Sequence, residues 1–186
     1  MTTTHATLIL DASGSMGPQV SDTRGAIIAF IKEQKEVKGD DCTLRVIAFS
    51  DNWVDLYNGP LDKAPELAIA NNYRPSGSTA LLDTVGRAID DNGKLFQDQG
   101  PYDNVIMTII TDGQENVSKE YTAAQIKEMV THQTEKYGWI ITYIGAEPKV
   151  AQLQYGITHT VQYNTGAMSV NTASTTLRGL RTSPQP

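Results

Sequence analysis

The chain has 186 residues, with 21 acidic and 15 basic side chains and a formal net charge of −6 at neutral pH. This length suits one α/β domain, and a content of 39% hydrophobic and 19% charged residues is typical of a folded globule. A single cysteine excludes an internal disulfide and favours a reducing compartment. The acidic balance argues against nucleic acid as a partner, and no apolar stretch reaches the roughly 18–20 residues of a membrane span. Residues 1–5 lack the basic and apolar pattern of a secretory signal, so we expect a cytoplasmic protein.

Short β-rich runs alternate with helical patterns along the chain. The predicted strands are residues 6–10, 42–49, 53–57, 104–111, 138–144 and 158–163. The predicted helices are residues 18–36, 79–92, a segment from about 122, residues 148–155 and residues 168–181. Thr122 and Gln125 have the spacing of a capping box, which favours a helix start at this point. Residues 182–186 are predicted to be a disordered tail, which leaves residues 1–181 as one domain.

The connection between the second and third strands is only three residues long, Ser50, Asp51 and Asn52. A parallel crossover needs a dozen or more residues, so these strands must form an antiparallel hairpin. The other strands are separated by helical segments, which favours parallel pairing with helices on both faces. The predicted fold class is therefore a doubly wound α/β fold with a mostly parallel six-stranded sheet and one antiparallel edge strand.

Small polar side chains cluster where the predicted strands end. Asp11, Ser13 and Ser15 follow the first strand, Thr79 precedes a helix, and Asp112 follows the most β-like strand. In open α/β sheets, ligands bind beyond the carboxyl ends of the strands. Two carboxylates and three hydroxyls form an all-oxygen set, which selects a hard cation such as Mg²⁺, Mn²⁺ or Ca²⁺ over zinc.

The triplet Asp11-x-Ser13-x-Ser15, together with Thr79 and Asp112, resembles the metal-ion-dependent adhesion site of von Willebrand factor type A domains. The order of predicted elements is also similar, so the resemblance extends over residues 4–181. It implies a sheet ordered 3-2-1-4-5-6, with the first and fourth strands side by side. Because no disulfide or further module is evident, the chain looks like the stand-alone intracellular members of bacteria and their phages.

The resemblance also implies a function and a role for each site residue. In the family, the serines and the threonine contact the metal directly, while the aspartates often act through water. Neutral hydroxyls leave the cation electron-poor, so a Glu or Asp carboxylate of a partner protein is the expected ligand. Relatives change affinity when the last helix moves, and the Ser/Thr-rich pattern of residues 168–181 is compatible with a weakly docked helix. We expect Mg²⁺ as the cofactor and a monomer that binds a partner protein.

Other interpretations of these residues are less favoured but stay open. Asp11, Ser13 and Ser15 could cap the first helix, Thr79 could cap the third, and Asp112 could be a turn residue. Asp83 could support the site, face solvent or act as a cap. Glu115 and Asn116 could contact a partner on the rim or simply belong to a polar loop. The whole protein could instead be a structural subunit stabilised by a metal.

An enzyme is not expected from these motifs. A metal-dependent phosphohydrolase with an aspartyl nucleophile needs a second carboxylate two residues after Asp11, and this chain has Ser13. The sequence lacks the nucleophile elbow of hydrolases and a phosphate-binding loop. His5, His132 and His159 lie on separate elements, so no base is assigned.

Overall fold

The computed structural model describes residues 1–115 and 117–182, which are built around a six-stranded sheet with the order β3-β2-β1-β4-β5-β6. The strands are β1 (Thr2–Asp11), β2 (Asp40–Phe49), β3 (Trp53–Pro60), β4 (Asn104–Thr111), β5 (Ile140–Gly145) and β6 (His159–Gln162). Neighbouring strands run parallel except β2 and β3, which form an antiparallel pair at one edge. The predicted fold class and the strand order implied by the resemblance are both confirmed.

Helices cover both faces of the sheet. They are α1 (Val20–Lys35), α2 (Glu66–Asn72), α3 (Leu81–Gln99), α4 (Ala123–Tyr137), α5 (Pro148–Tyr155) and α6 (Gly166–Thr182). A 3₁₀ turn at Gly14–Gln19 precedes α1, and another at Leu61–Lys63 follows β3. Because side chains alternate across a strand, Leu8 and Leu10 pack with α1, α2 and α6, whereas Ile9 packs with α3, α4 and α5.

Two helices extend beyond their predicted ends. Helix α3 continues seven residues past Asn92, although Gly93 favours a stop, and Phe96 in this extension packs against His5 and Trp139. Helix α6 extends through Thr182, and the rest of the predicted tail, residues 183–186, lies outside the described residues. The capping box at the start of α4 is confirmed in both of its hydrogen bonds.

None of the helices within residues 1–115 and 117–182 combines the length and apolar character of a membrane span.

The carboxyl end of α6 is fixed by a buried polar network. Arg181 Nε donates to Asp40 Oδ2 at 2.6 Å, and both side chains are 1% exposed. Arg181 Nη1 also donates to the backbone oxygen of Gln34 at 2.8 Å, and the Gln34 amide donates to the backbone oxygen of Ser174 at 2.9 Å. The Ser/Thr-rich composition of α6 therefore does not leave this end loosely docked, since Ser174 is part of the network.

Replacing Arg181 by methionine should destabilise the fold by about 3–5 kcal/mol, because it leaves the Asp40 carboxylate buried without its partner. Urea denaturation measures this loss. The matched control is Lys35→Met, which breaks the more exposed pair with Glu66 and should cost under about 1 kcal/mol. Equal losses in the two variants would contradict the importance of the buried pair.

His5 is fully buried on β1, on the α3 face of the sheet. Its Nδ1 lies 2.8 Å from Thr43 Oγ1, and its ring packs against Phe96 and Tyr102 at centroid distances of 5.2 and 5.3 Å. Burial lowers the pKa of His5 from 6.5 to about 4. The folded chain therefore holds His5 neutral at a pH where the unfolded chain protonates it.

The free energy of unfolding should fall as the pH drops from 6.5 to 4. The unfolded chain takes up the proton of His5 first, so the contribution is complete above pH 6.5 and lost towards pH 4, by up to about 3 kcal/mol. Denaturation curves of the chain and of His5→Leu across this window measure the effect. The variant should be less stable overall but have a flatter profile, and parallel profiles would refute this role for His5.

Candidate metal centre

The candidate centre lies at the carboxyl ends of β1 and β4, which are neighbours in the sheet. The register pairs Leu10 with Ile110, so Asp11 at the end of β1 lies beside Thr111 at the end of β4. Asp112 follows directly after β4. This is the point where the strand order reverses, the usual place for a ligand in such sheets.

Asp11 is the most deeply buried acidic group of the centre, at 1% exposure. Its Oδ1 accepts from the backbone N–H of Ser13 at 2.7 Å, and its Oδ2 accepts from Thr111 Oγ1 at 2.6 Å. The Tyr73 hydroxyl donates to the backbone oxygen of Asp11 at 2.6 Å. These contacts fix both the backbone and the carboxylate. Thr111 and Tyr73 were missed in the sequence, since their role depends on tertiary contacts.

A line of oxygen atoms leads from the buried side of the centre to solvent. Ser13 Oγ lies 3.1 Å from Ser15 Oγ, and Ser15 Oγ donates to Asp112 Oδ1 at 2.8 Å. Ser13 is buried, Asp112 is half-buried and Ser15 is exposed. The structure therefore brings these three residues together, with Ser15 and Asp112 on the solvent side.

Thr79 approaches the same place from the loop before α3 and is 4% exposed. A Cβ placed on Gly113 would lie 3.4 Å from Thr79 Oγ1 and 3.9 Å from Asp11 Oδ2. Gly113 therefore lies against both oxygens. All five predicted site residues thus surround the carboxyl ends of β1 and β4.

Backbone hydrogen bonds join the loops that carry these residues. The loop before α3 receives a bond from Gly14 N to Gly77 O at 2.9 Å and donates one from Ser76 N to Ala12 O at 2.7 Å. Gly77 has a φ of +79°, and a Cβ there would collide with the Asp51 carboxylate. Only glycine satisfies both constraints, so position 77 is needed to hold Thr79 near Asp11.

Two carboxylates fix the long loop between β4 and α4. Glu115 accepts from the backbone N–H groups of Leu82 and Val117, both at 2.9 Å, and so is not a free residue of the rim. Asp83 accepts from three backbone N–H groups, those of residues 119, 120 and 121, at 2.8–2.9 Å. Partial burial works to raise the pKa of Asp83, but these hydrogen bonds outweigh it and hold the pKa below its usual value. Asp83 therefore caps the loop, and Asn116 lies outside the described residues.

The two acidic groups of the centre have no cationic partner. Within residues 1–115 and 117–182, no ion pair involves Asp11 or Asp112. Burial raises the pKa of Asp11; hydrogen bonds from Ser13 and Thr111 oppose this, and the Asp112 carboxylate adds to it. A buried carboxylate beside a second one is a site whose charge a bound cation would neutralise.

The donor set fits a hard divalent cation. Among the residues that the structure describes, no group of three or more His, Cys, Asp or Glu side chains could hold a metal. The centre instead combines two carboxylates with hydroxyls, the oxygen chemistry that suits Mg²⁺, Mn²⁺ or Ca²⁺.

No protein-family model matches the chain, and neither does any curated protein sequence. Several solved structures do match. They include a von Willebrand factor type A protein from Catenulispora acidiphila (TM-score 0.68, 16% identity), which matches over 95% of this chain and 42% of its own. The von Willebrand factor domain of the pilus tip protein Mfa5 from Porphyromonas gingivalis has a TM-score of 0.68 at 9% identity, over 100% and 98% of the two chains.

A third match is proximal thread matrix protein 1 from the mussel byssus, solved with a zinc-occupied MIDAS motif, the metal-ion-dependent adhesion site. It has a TM-score of 0.69 at 16% identity, over 96% of this chain and 48% of its own. This chain thus spans less than half of the Catenulispora and mussel proteins. On the strand order, the helix arrangement and these matches, the chain has the fold of a von Willebrand factor type A domain.

Proposed function

We propose that this chain is a metal-dependent protein-binding module. Asp11, Ser13, Ser15, Thr79 and Asp112 would hold one Mg²⁺ ion, and the ion would accept a Glu or Asp carboxylate from a partner protein. The observation that carries the proposal is the buried Asp11 carboxylate, which forms no ion pair with a described residue and lies beside the hydroxyls of Ser13 and the exposed Ser15. Mn²⁺ and Ca²⁺ have the same preference for oxygen and are alternative ions.

The division of labour among the residues follows from their burial. Asp11 and Ser13 are buried and fixed by hydrogen bonds, so they would form a rigid inner wall. Ser15 and Asp112 lie on the solvent side, where an incoming ligand would meet the ion. A bound divalent cation supplies positive charge that two carboxylates alone lack. The hydroxyls are neutral, so they would hold the ion without reducing its positive charge. The ion would therefore attract an anionic ligand.

The fold supports the metal-binding part of this proposal. The mussel protein with the zinc-occupied MIDAS motif has the same fold, which supports a divalent cation in general. We propose Mg²⁺ for this chain because its donors are oxygen atoms. We take residues 1–181 as the module and propose that it is a monomer. We propose a cytoplasmic location because the one cysteine, Cys42, is buried and unpaired.

We do not propose catalysis. An aspartyl phosphotransferase needs an acid–base carboxylate where Ser13 stands. Among the described residues no histidine hydrogen-bonds to the centre, and His5 is buried with its Nδ1 directed at Thr43. A structural subunit with a stabilising metal is the alternative, and the partner experiment below separates it from a binding module.

Mg²⁺ should raise the melting temperature of the EDTA-treated chain, because it binds the folded state only. At a concentration 100 times the dissociation constant, the gain is about 2.7 kcal/mol. Asp112→Asn should abolish this gain while the variant remains folded, since only Ser15 donates to Asp112 among the described contacts. Without Mg²⁺ this variant should be as stable as the unaltered chain or more so, because it removes repulsion with Asp11. Thermal unfolding with and without Mg²⁺ measures both effects.

The matched control is Asp98→Asn, an exposed carboxylate on α3 far from the centre. It should respond to Mg²⁺ as the unaltered chain does. A full response in Asp112→Asn would show that the ion binds elsewhere.

A partner should bind the immobilised chain in Mg²⁺ and be released by EDTA. The matched bait is Asp112→Asn, which should retain nothing that EDTA releases. Mass spectrometry identifies the captured protein from the native cell extract, and Glu→Gln and Asp→Asn exchanges in that protein locate its carboxylate. One such exchange should abolish binding.

If a partner binds equally with and without EDTA, while EDTA lowers the melting temperature, the metal is structural and the proposed docking role is wrong. If the two baits capture the same proteins in Mg²⁺, the five residues do not form the binding site.

A further inference from the structure

A groove of about 640 Å³ lies between α3 and α4, at the amino ends of β4 and β5. The candidate metal centre lies at the opposite, carboxyl ends of the strands. Its floor includes Val105 at the start of β4 and Trp139 just before β5, and its walls come from the carboxyl-terminal halves of the two helices. Val105 and Asp112 are seven residues apart along β4 and its extension, which corresponds to about 23 Å. The groove is thus separate from the metal centre, and its volume falls within the range of sites for small molecules.

Two of the helix positions that line the groove, one on each helix, carry no large apolar side chain. Gly93 lines it from α3, and a Cβ at Gly93 would meet no atom within 4 Å. Gln133 lines it from α4, after the buried apolar positions of that helix end at Val130. A glycine in a helix interior costs about 0.5–1 kcal/mol relative to alanine, and no neighbouring atom requires a glycine here. A larger side chain at position 93 would therefore extend into the groove.

The lining is aromatic and rigidly packed. Phe96 packs edge-to-face with Tyr102 at 5.2 Å and with Trp139 at 5.6 Å between ring centroids. The buried ring of His5 supports Phe96 and Tyr102 from below. Tyr137 lines the mouth and is 57% exposed. Fixed rings of this kind favour a flat aromatic ligand, since the walls need no rearrangement to contact it.

The lining contains one acidic residue, Asp90, and one lysine, Lys94, and only Asp90 has a hydrogen-bond partner among the described residues. Asp90 already accepts a hydrogen bond from the Tyr121 hydroxyl at 2.7 Å. Lys94 is exposed and, within the described part of the chain, forms no hydrogen bond or ion pair. A second ammonium group, that of Lys136, lies 5.2 Å from the ring centroid of Tyr137 at the mouth. An anionic ligand would therefore pair with Lys94, which forms no ion pair with a described residue.

We propose that this groove binds a small aromatic anion, with its ring against Phe96 and Tyr102 and its acidic group on Lys94. Gly93 provides the space and Lys94 selects the charge. The inference rests on the groove alone and is independent of the proposed metal-dependent function.

The test uses two fluorescent probes in EDTA, so that no divalent cation contributes. The first is the aromatic anion 1-anilinonaphthalene-8-sulfonate, and the second is its neutral analogue N-phenyl-1-naphthylamine. The folded chain should bind one equivalent of the anionic probe saturably, and Mg²⁺ should not change its affinity. Absence of saturable binding would overturn the proposal.

Two variants and their controls locate the site. Gly93→Leu should fill the groove and lower the affinity for both probes by about tenfold or more, a loss of about 1.4 kcal/mol. Gly25→Leu, at an exposed helix glycine that also has no atom near its Cβ, should leave both affinities unchanged. Lys94→Gln should weaken binding of the anionic probe and spare the neutral one, whereas Lys38→Gln should affect neither.

Melting temperatures and circular dichroism confirm that each variant is folded. If Gly93→Leu binds the anionic probe as the unaltered chain does, the groove is not its site. If Lys94→Gln weakens both probes equally, the groove does not select an anion, and the proposal fails on that point.

Discussion

The structure depends on one buried carboxylate that forms no ion pair within residues 1–115 and 117–182. Asp11 ends the central strand β1, and its two oxygens accept hydrogen bonds from its own loop and from Thr111 on the neighbouring strand β4. Placing a charge at this depth is costly, and hydrogen bonds offset only part of that cost. The surrounding residues respond to this constraint: hydroxyls line the path to solvent, and the loops around them contain the glycines that close approach requires.

The two ends of the parallel strands differ in how they are stabilised. At the carboxyl ends, backbone N–H groups donate hydrogen bonds to the Asp83 and Glu115 carboxylates and so hold the loop between β4 and α4. At the amino ends of the strands, buried rings and the ion pair between Arg181 and Asp40 hold the ends of the helices. Helix α6 runs between these two ends of the strands. The backbone N–H of Gly166, at the first residue of α6, donates to Gln19 Oε1 at 2.6 Å in the segment that follows Ser15. Both ends of the last helix are therefore attached to the body of the fold.

Features that depend on local pattern were predictable from the sequence. Strand β4 was predicted with its observed bounds because all eight of its residues are buried, and the hairpin of β2 and β3 followed from its short connection. The gathering of Asp11, Ser13, Ser15 and Asp112 followed from the rule that parallel strands end at one edge. Contacts between distant loops were not predictable: Tyr73 on Asp11 and Asp51 beside Gly77 leave no local pattern. The sequence did not indicate that Glu115 accepts a hydrogen bond from the backbone N–H of Leu82, because the two residues are 33 positions apart. Metal binding by the five residues stays a prediction.

The loops at the carboxyl ends of the strands could exchange their outward side chains during evolution without changing position. Because main-chain atoms of Gly14, Gly77, Ala12 and Ser76 connect these loops, their positions do not depend on the identity of most outward side chains. Residues such as Pro18 and Arg74, which are exposed beside the centre, could be exchanged without moving the groups beneath them. One framework could thus acquire different recognition surfaces by substitution alone, and the same property would make it a scaffold for displaying randomised side chains around a fixed charge.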